Sequence, residues 1–285
     1  MKNLRRFLGD NPRISIGLAL LGGMLLFWLV GVLTVGVSKA VPLSGPPDMP
    51  PSPRYPLGTD SAGRQLLPVM IAGVPLTLEI GFLAGGVGLL IGTLLGFTAG
   101  YFGGAVDTVI RTVADVMLPI PALAVLVVIA STIHTLLSVE IMALVIASLA
   151  WMYPTRTIRA QVLSIRNRAY IEVARLSGQN HLKIIFRELM PNLLPYLAAS
   201  FVGAVGAGIL AGIGLEALGL GPQDKPTLGM TIFWAIYYGA TLRGMWWWWG
   251  PPILILILVF LSLFMIAQGL DRYANPRLRQ SGSTP

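Results

Sequence analysis

The chain has 285 residues, of which 55% are hydrophobic and 11% are charged, and its net charge is +8. Soluble domains carry about 25% charged residues, so this composition excludes an ordinary soluble domain and indicates a lipid environment. The basic residues lie in short segments between apolar runs, which argues against nucleic-acid binding. The absence of cysteine excludes disulfides and thiolate chemistry, and the two histidines, His134 and His181, stand too far apart to indicate a metal site.

The N-terminal segment has the general form of a secretory signal, because basic residues precede an apolar stretch that ends near Ser38-Lys39-Ala40. However, residues 14–38 carry no charge, and the apolar core of a signal peptide reaches only about 15 residues. We therefore predict a retained first transmembrane helix within residues 1–38.

Further apolar runs predict five more helices, since a membrane span needs about 20 apolar residues. The clearest charge-free runs are 80–106, 189–215 and 244–270. Two weaker runs are 116–133, which extends to 139, and 141–155, which reaches span length only by including 136–140. The sequence thus predicts an all-α polytopic membrane protein with six transmembrane helices, five of them in a core at 77–270.

The distribution of basic residues predicts the orientation. With the N-terminus inside, fifteen basic residues lie in inner segments and five in outer segments. By the positive-inside rule both termini, including the tail at 271–285, are cytoplasmic. Segment 39–76 is then outside and, being rich in proline, should be irregular or extended rather than helical.

Small residues and aromatic residues suggest ordinary membrane packing. Gly92, Gly96 and Gly100 follow small-xxx-small spacing, as do Gly208 and Gly212, which favours close helix contacts. The four tryptophans at 246–249 are typical of an interfacial belt.

The second outer segment, 216–243, contains three further aromatic residues, Trp234, Tyr237 and Tyr238. These rings are candidates for contact with a substrate, and stacking on a sugar or a peptide ring is the alternative to interfacial packing.

Ionisable residues within the core bear on a rival function, that of a self-sufficient secondary transporter or channel. Such proteins place ionisable groups at mid-membrane, whereas Glu79, Asp115, Glu140 and Glu216 all lie near predicted span ends, where water should reach them. This distribution disfavours the rival, and no paired acid and base indicates an intramembrane enzyme.

The longest inner loop, 156–192, carries the most informative pattern. Its polar positions Arg168, Glu172 and Arg175 share one helical face, and Ile171 and Ala174 form a small apolar strip beside it.

Three residues set the predicted shape of this loop. Gly178 suits the left-handed position that ends a helix, and Asn180 suits the N-cap of a second helix. Pro191 should then disturb helical hydrogen bonding at the entrance of the fifth span. The predicted order is helix, glycine elbow, helix, proline and membrane.

The string Glu172-Val173-Ala174, three residues, Gly178 and later Met190-Pro191 resembles the EAA signature of ABC importer permeases, with Val173, Glu188 and Met190 departing from it. Other strings resemble landmarks of the dipeptide/oligopeptide class of these permeases. One of them spans Leu57 to Arg64 and contains Gly58, Thr59, Asp60, Gly63 and Arg64. The remaining ones are Gly100-Tyr101-Phe102-Gly103-Gly104 with Asp107, Leu218-Gly219-Leu220-Gly221, and Gly269 to Arg277.

This resemblance implies the type I ABC importer permease fold in the inner membrane. It implies a homologous second permease subunit, two cytoplasmic ATP-binding subunits and an extracytoplasmic substrate-binding protein. The resemblance assigns ATPase coupling, through a cytoplasmic coupling helix, to the motif residues Glu172, Ala174, Arg175, Gly178, Asn180 and Pro191. The expected cargo is di- or oligopeptides, with oligosaccharides or another small solute as the alternative.

The chain itself is expected to be non-catalytic and to hold no cofactor, with ATP and Mg bound by the partner ATPases. A phosphate-binding P-loop needs a lysine that follows glycine and precedes Ser or Thr. None of the four lysines follows a glycine.

Overall fold

The computed structural model describes residues 9, 11–133 and 137–274, which are predominantly α-helical. Within these ranges no strand forms, although one isolated antiparallel bridge joins Thr59 and Gln65. His134 and most of the C-terminal tail, from 275 onward, lie outside the described residues. In chain order the helices are α1 (Pro12–Thr34), α2 (Leu66–Phe102), α3 (Gly104–Met117), α4 (Ala122–Ser131), α5 (Val139–Ala150), α6 (Met152–Ile165), α7 (Ala169–Leu176), α8 (His181–Ile184), α9 (Met190–Ala217), α10 (Leu228–Tyr237) and α11 (Trp246–Ala274).

Four stretches are long and apolar enough to cross a membrane: α1, α2, α8 together with α9, and α11. Two further pairs pass the same test only together, because α3 and α4 meet at a bend of 83° and α5 and α6 at a bend of 46°. Counting each bent pair as one span gives the six predicted spans.

The predicted irregular outer segment, 39–76, is wrong in its last part, because α2 already begins at Leu66. The prolines that suggested irregular structure all precede Leu57. Pro68 lies in the first turn of α2, where its missing N–H has no helical partner to lose. Burial of the apolar residues that follow then favours a continuous helix.

The third predicted span, 116–139, is also corrected. It begins where α3 ends, and Pro119 and Pro121 lie in the bend between α3 and α4. The charge-free criterion could not include α3, because that amphipathic helix contains Asp107 and Arg111.

Helix α2 packs along its length against α6 and α9 through a strip of glycines. A Cβ on Gly85 would lie 2.5 Å from the carbonyl carbon of Ala204 in α9, and one on Gly92 would lie 2.6 Å from Cβ of Pro154 in α6. The predicted close packing is therefore confirmed. The buried glycines of the strip are Gly81, Gly85, Gly88, Gly92, Gly96 and Gly100.

The predicted outer segments gather at one end of the helices. We call it the knot end, after the compact folded segment at residues 43–64 that lies there, in which the chain is not threaded through itself. There Gly58 lies against Trp247 at the start of α11, and Arg243 pairs with Asp48. The predicted inner segments gather at the opposite end, which we call the loop end.

Candidate functional site

The loop between α6 and α9 folds as the sequence predicts. Helix α7 ends at Leu176, and Gly178 follows with φ of +73°, a conformation that costs glycine little strain. The amide of Gln179 donates to the carbonyl of Ala174 at 3.2 Å, which closes the turn. Oδ1 of Asn180 accepts from the amide of Lys183 at 3.1 Å, so Asn180 caps α8. The elbow and the cap are confirmed.

The entrance to α9 is a π-turn at Ile185–Leu189, directly before Met190 and Pro191. Because proline has no N–H, the regular hydrogen bond from position 191 back into the preceding turn cannot form. A single wider turn accommodates such a break. The predicted disturbance by Pro191 is therefore confirmed.

One face of the loop is anchored to the helices. Ile171, Ala174 and Ile184 are buried in a cluster that also contains Phe97 of α2 and Ile158 of α6. This cluster fixes the position of α7 and α8 at the loop end.

The exposed side of the loop carries apolar side chains beside charged ones such as Glu172 and Lys183. Its exposed fractions reach 84% at Leu176 and 57% at Phe186. The side chain of Glu172 is exposed beside them and forms no ion pair or hydrogen bond with any residue that the structure describes. Several large apolar side chains exposed on one short segment are typical of an interaction site. We call it the loop patch, formed by Val173, Leu176, Leu182 and Phe186.

Tyr101, in the last turn of α2, receives contacts from the loop. Its hydroxyl lies 2.9 Å from Nδ1 of His181, and the guanidinium of Arg175 lies 5.3 Å from the centre of its ring. Arg175, predicted for ATPase coupling, is thus directed toward α2. Nη1 of Arg166 also donates to the carbonyl of Gly100 at 2.8 Å. Tyr101 was not predicted as a site residue, although its place in the Gly100–Gly104 motif was a signal that could have marked it.

A second polar link at the loop end joins α3 to α6. The carboxylate of Asp107 accepts two hydrogen bonds from Arg159, from Nε to Oδ1 and from Nη2 to Oδ2, the latter at 2.6 Å. Such bidentate pairs are stronger and more directional than single contacts. Neither residue was assigned this contact from the sequence.

At the knot end, Asp60 is 1% exposed and uses its carboxylate internally. Oδ1 accepts from the amides of Ala62 at 2.9 Å and Arg64 at 2.8 Å, and Oδ2 accepts from Nε of Arg64 at 2.6 Å. Thr59 is also fully buried, and its hydroxyl donates to the carbonyl of Pro46 at 2.6 Å. These polar groups hold the segment together and face no open surface.

The glycines of this segment complete its structure. Gly63 has φ of +74°, and a Cβ there would lie 2.5 Å from the carbonyl oxygen of Gly45. The structure therefore brings the predicted group Gly58, Thr59, Asp60, Gly63 and Arg64 together as one compact turn. We call this turn, together with the irregular residues 43–49 whose amides hydrogen-bond to its carbonyls, the knot.

The outer surface of the knot carries a smaller polar network. Nη2 of Arg243 lies 2.5 Å from Oδ2 of Asp48, and Ser61 donates to Oδ1 of Asp48 at 2.6 Å. Partial burial acts to raise the pKa of Asp48, but the hydrogen bonds from Arg243 and Ser61 outweigh it and hold that pKa below its ordinary value.

The predicted substrate-facing aromatics contact one another. The ring of Trp234 lies 5.7 Å from that of Tyr237 and 6.0 Å from that of Tyr238, which stacks on Trp248 at 5.9 Å. Trp248 is fully buried beside Leu66, so its assignment to an interfacial belt is wrong. Helix periodicity turns this tryptophan inward while Trp246 remains 58% exposed.

Glu216 is likewise corrected: the expectation that water reaches it is wrong, because its side chain is fully buried. Its Oε1 accepts from the hydroxyl of Thr227 at 2.5 Å, while its Oε2 has no hydrogen-bond partner among the described residues. A Cβ on Gly229 would collide with this carboxyl group. Folding of 218–227 back onto α9 covers Glu216, and no charge count could reveal that. The expected place near a span end is also wrong for Glu79, which is half-buried well inside α2, and for Asp115, which is exposed but lies within the bent pair α3 and α4. Glu140 is exposed at the start of α5.

A cleft of about 640 Å³ lies between the α3–α4 bend and helices α5, α6, α9 and α11. Most of its wall is apolar, with hydroxyl groups from Tyr153, Thr157, Tyr196 and Ser200. Asp271 lies at its edge near the end of α11. The cleft is large enough for a small solute.

Known proteins share this sequence pattern and fold. Residues 92–280 match the family model described as "Binding-protein-dependent transport system inner membrane component". The di/tripeptide transport system permease protein DppC of Pseudomonas aeruginosa is 30% identical over 80% of this chain and 74% of its own length. The oligopeptide transport system permease protein OppC of Lactococcus lactis subsp. cremoris is 30% identical over 78% of this chain and 75% of its own.

Two further comparisons extend the likeness. The dipeptide transport system permease protein DppC of Alkalihalophilus pseudofirmus is 28% identical over 95% of this chain and 88% of its own. A chain in an inward-facing structure of the MetNI methionine ABC transporter superposes with a TM-score of 0.55 at 21% identity. That match covers 74% of this chain and 98% of the other, so the two share a fold.

Proposed function

Since the chain belongs to the family of inner-membrane components of binding-protein-dependent transport systems, we propose that it is the permease subunit of an ATP-driven importer of di- or oligopeptides. The peptide assignment is supported by relatives whose names state peptide transport. The chain is the non-catalytic membrane part of the importer, and partner subunits bind ATP and Mg.

The observation that carries this proposal is the loop patch. Leu176 and Phe186 are exposed on a loop whose other face is buried against α2 and α6. Exposed leucine and phenylalanine on a firmly anchored turn fit a groove on a soluble partner. We assign that groove to an ATP-binding subunit, so α7 serves as the coupling helix and the loop end faces the cytoplasm.

The remaining partners follow from the same assignment. A homologous permease subunit packs beside this one, and the cleft near Ser200 and Tyr196 contributes to the pathway between them. The knot end then faces the substrate-binding protein. ATP-driven closure of the ATPases displaces the coupling helix, and the anchored helices carry the displacement to the cleft.

A matched pair of exposed leucines tests the docking assignment. Leu176 is 84% exposed in the loop patch, and Leu242 is 94% exposed near the knot end. We expect Leu176→Ser to reduce capture of the ATP-binding subunits by the purified chain about ten-fold, because interface anchors contribute 1–2 kcal/mol or more. Leu242→Ser should leave capture unchanged. Equal capture by both variants would reject the loop patch as the docking surface.

The substrate class needs its own measurement. Titration of the partner substrate-binding protein against peptide and oligosaccharide panels should give binding to peptides. Exclusive binding of oligosaccharides would replace the peptide assignment and would give Tyr237, which is 68% exposed, a role in stacking on sugar rings.

A further inference from the structure

Helix α2 connects the two ends of the molecule as a single helix with one internal proline, Pro75. It begins at Leu66, whose amide donates to the carbonyl of Gly58 in the knot at 3.1 Å, and it ends at Phe102 beside the loop. Its 37 residues extend about 55 Å at the usual helical rise. The helix therefore touches both the knot and the coupling loop directly.

At the loop end the contact is concentrated on Tyr101, which is 5% exposed. His181, at the start of α8, forms a hydrogen bond with the hydroxyl of Tyr101. The guanidinium of Arg175, at the end of α7, lies over the ring of Tyr101. These two residues lie on either side of the Gly178 elbow. Tyr101 is thus held by both arms of the loop, and a displacement of the elbow acts on it from two directions.

The glycine strip makes α2 suited to move as a unit. On that face α2 has no side chains of its own, so the carbonyl oxygens of Trp151 and Thr155 in the facing segment come within 2.9 Å of the Cβ positions of Gly92 and Gly96. On the α2 side, such a seam has no flexible side chains that could absorb a small displacement by changing rotamer. A force applied at Tyr101 is passed along the helix.

We propose that Tyr101 is a positioning residue that transmits displacement of the coupling loop to α2 and through it to the knot. The inference rests on the proposed function, and it adds a route from the ATPase side to the side that receives the binding protein. The hydrogen bond between Tyr101 and His181 is the element of this route that can be removed without disturbing the packing.

The test uses the assembled transporter and the lack of native cysteine. Single cysteines labelled with an environment-sensitive fluorophore replace Val41, which is exposed beside the knot, or Asn167, which is exposed before α7. Each reporter is followed on addition of ATP in four backgrounds: the parent, Tyr101→Phe, His181→Ala and the double variant. Tyr170→Phe, which removes an exposed loop hydroxyl that has no partner among the described residues, is the matched control.

We expect Tyr101→Phe to capture the ATPases normally and to keep the ATP response at position 167. Its fluorescence response at position 41 should fall about five-fold, which is the factor that corresponds to the net free energy of one hydrogen bond. His181→Ala should lower this response at least as much, because it removes the same hydrogen bond and also the ring contacts of the imidazole with Tyr101 and Phe102. The double variant should be no worse than His181→Ala, because the hydrogen bond is lost only once. Tyr170→Phe should behave as the parent.

Two results would overturn the inference. One is a parental response at position 41 in Tyr101→Phe, and the other is a loss of ATPase capture, which would mean that Tyr101 only keeps the loop folded. Failure of the parent itself to capture ATPases would instead reject the proposed function on which the inference rests.

Discussion

The knot and the loop between α6 and α9 both contain motifs that resemble those of peptide permeases, yet they use their residues in opposite ways. In the knot, the carboxylate of Asp60 and the hydroxyl of Thr59 are both engaged in hydrogen bonds within the segment. In the loop, Leu176 and Glu172 face outward with no partner among the described residues. A motif alone does not distinguish residues that stabilise a turn from residues that are exposed for binding to another subunit. Burial separates them.

The strongest test of this contrast is Asp60→Ala. It leaves two backbone amides without acceptors and Arg64 without its carboxylate in a site that is almost fully buried. Removing one partner of such a pair costs about 3–5 kcal/mol. We expect a lower thermal unfolding midpoint in detergent and rapid proteolysis of residues 43–65. Unchanged stability combined with lost binding-protein contact would reverse our interpretation of the knot.

Gly178→Val probes the loop side of the comparison. No atom lies within 4 Å of the position that a Cβ would occupy, so the cost comes only from the positive φ, about 1–3 kcal/mol. We expect ATPase capture to fall about ten-fold while the thermal midpoint of the helical core changes little. Gly178→Asn is the control, because asparagine tolerates this conformation, and it should retain most of the capture.

Glu216 tests whether a polar side chain outside the knot also serves internal hydrogen bonding rather than contact with a partner. Glu216→Ala leaves the hydroxyl of Thr227 without its carboxyl partner inside the protein, which costs about 1–3 kcal/mol. Glu216→Gln preserves a hydrogen-bonding oxygen and the side-chain volume, so we expect its thermal midpoint to stay near that of the parent. A large loss of transport in Glu216→Gln at normal stability would show that the carboxyl group itself has a further role.

The smallest effect is expected at Asp48 on the outer surface of the knot. Because its pKa is lowered in the folded chain, its ion pair with Arg243 stabilises the protein above the ordinary aspartate pKa and is lost as pH falls through the lowered value. The pair is partly exposed, so its contribution is about 0.2–1 kcal/mol. Asp48→Asn should remove a small stability difference between pH 7 and pH 3, as measured by thermal unfolding.

The sequence predicted best those features that depend on local chemistry. Gly178, Asn180 and Pro191 act through their own backbone or side-chain geometry, and each takes the conformation that its residue type favours. The spacing of Gly92 and Gly96 likewise predicted correctly that neighbouring helices approach closely there. Apolar run length likewise found the long helices, although it misplaced the start of α2.

Features that depend on tertiary structure were missed. The burial of Glu216 requires α10 to fold back against α9, and the contact between Tyr101 and His181 joins residues eighty positions apart. The bend before α4 was missed because a count of charges does not register Pro119 and Pro121. Each miss concerns where a residue lies relative to distant parts of the chain.

The π-turn at Ile185–Leu189 has a consequence for the length of the loop. A wider turn holds one more residue than a regular α-helical turn, and each residue in an α-helix advances the rotation by about 100°. That extra residue lets α8 direct Ile184 inward while α9 independently directs Leu193 into the same core cluster. Deletion of one residue from this turn would therefore close it to a regular α-helical turn with the elbow facing as before, whereas a deletion within α9 would rotate the elbow by about 100° about the axis of the span.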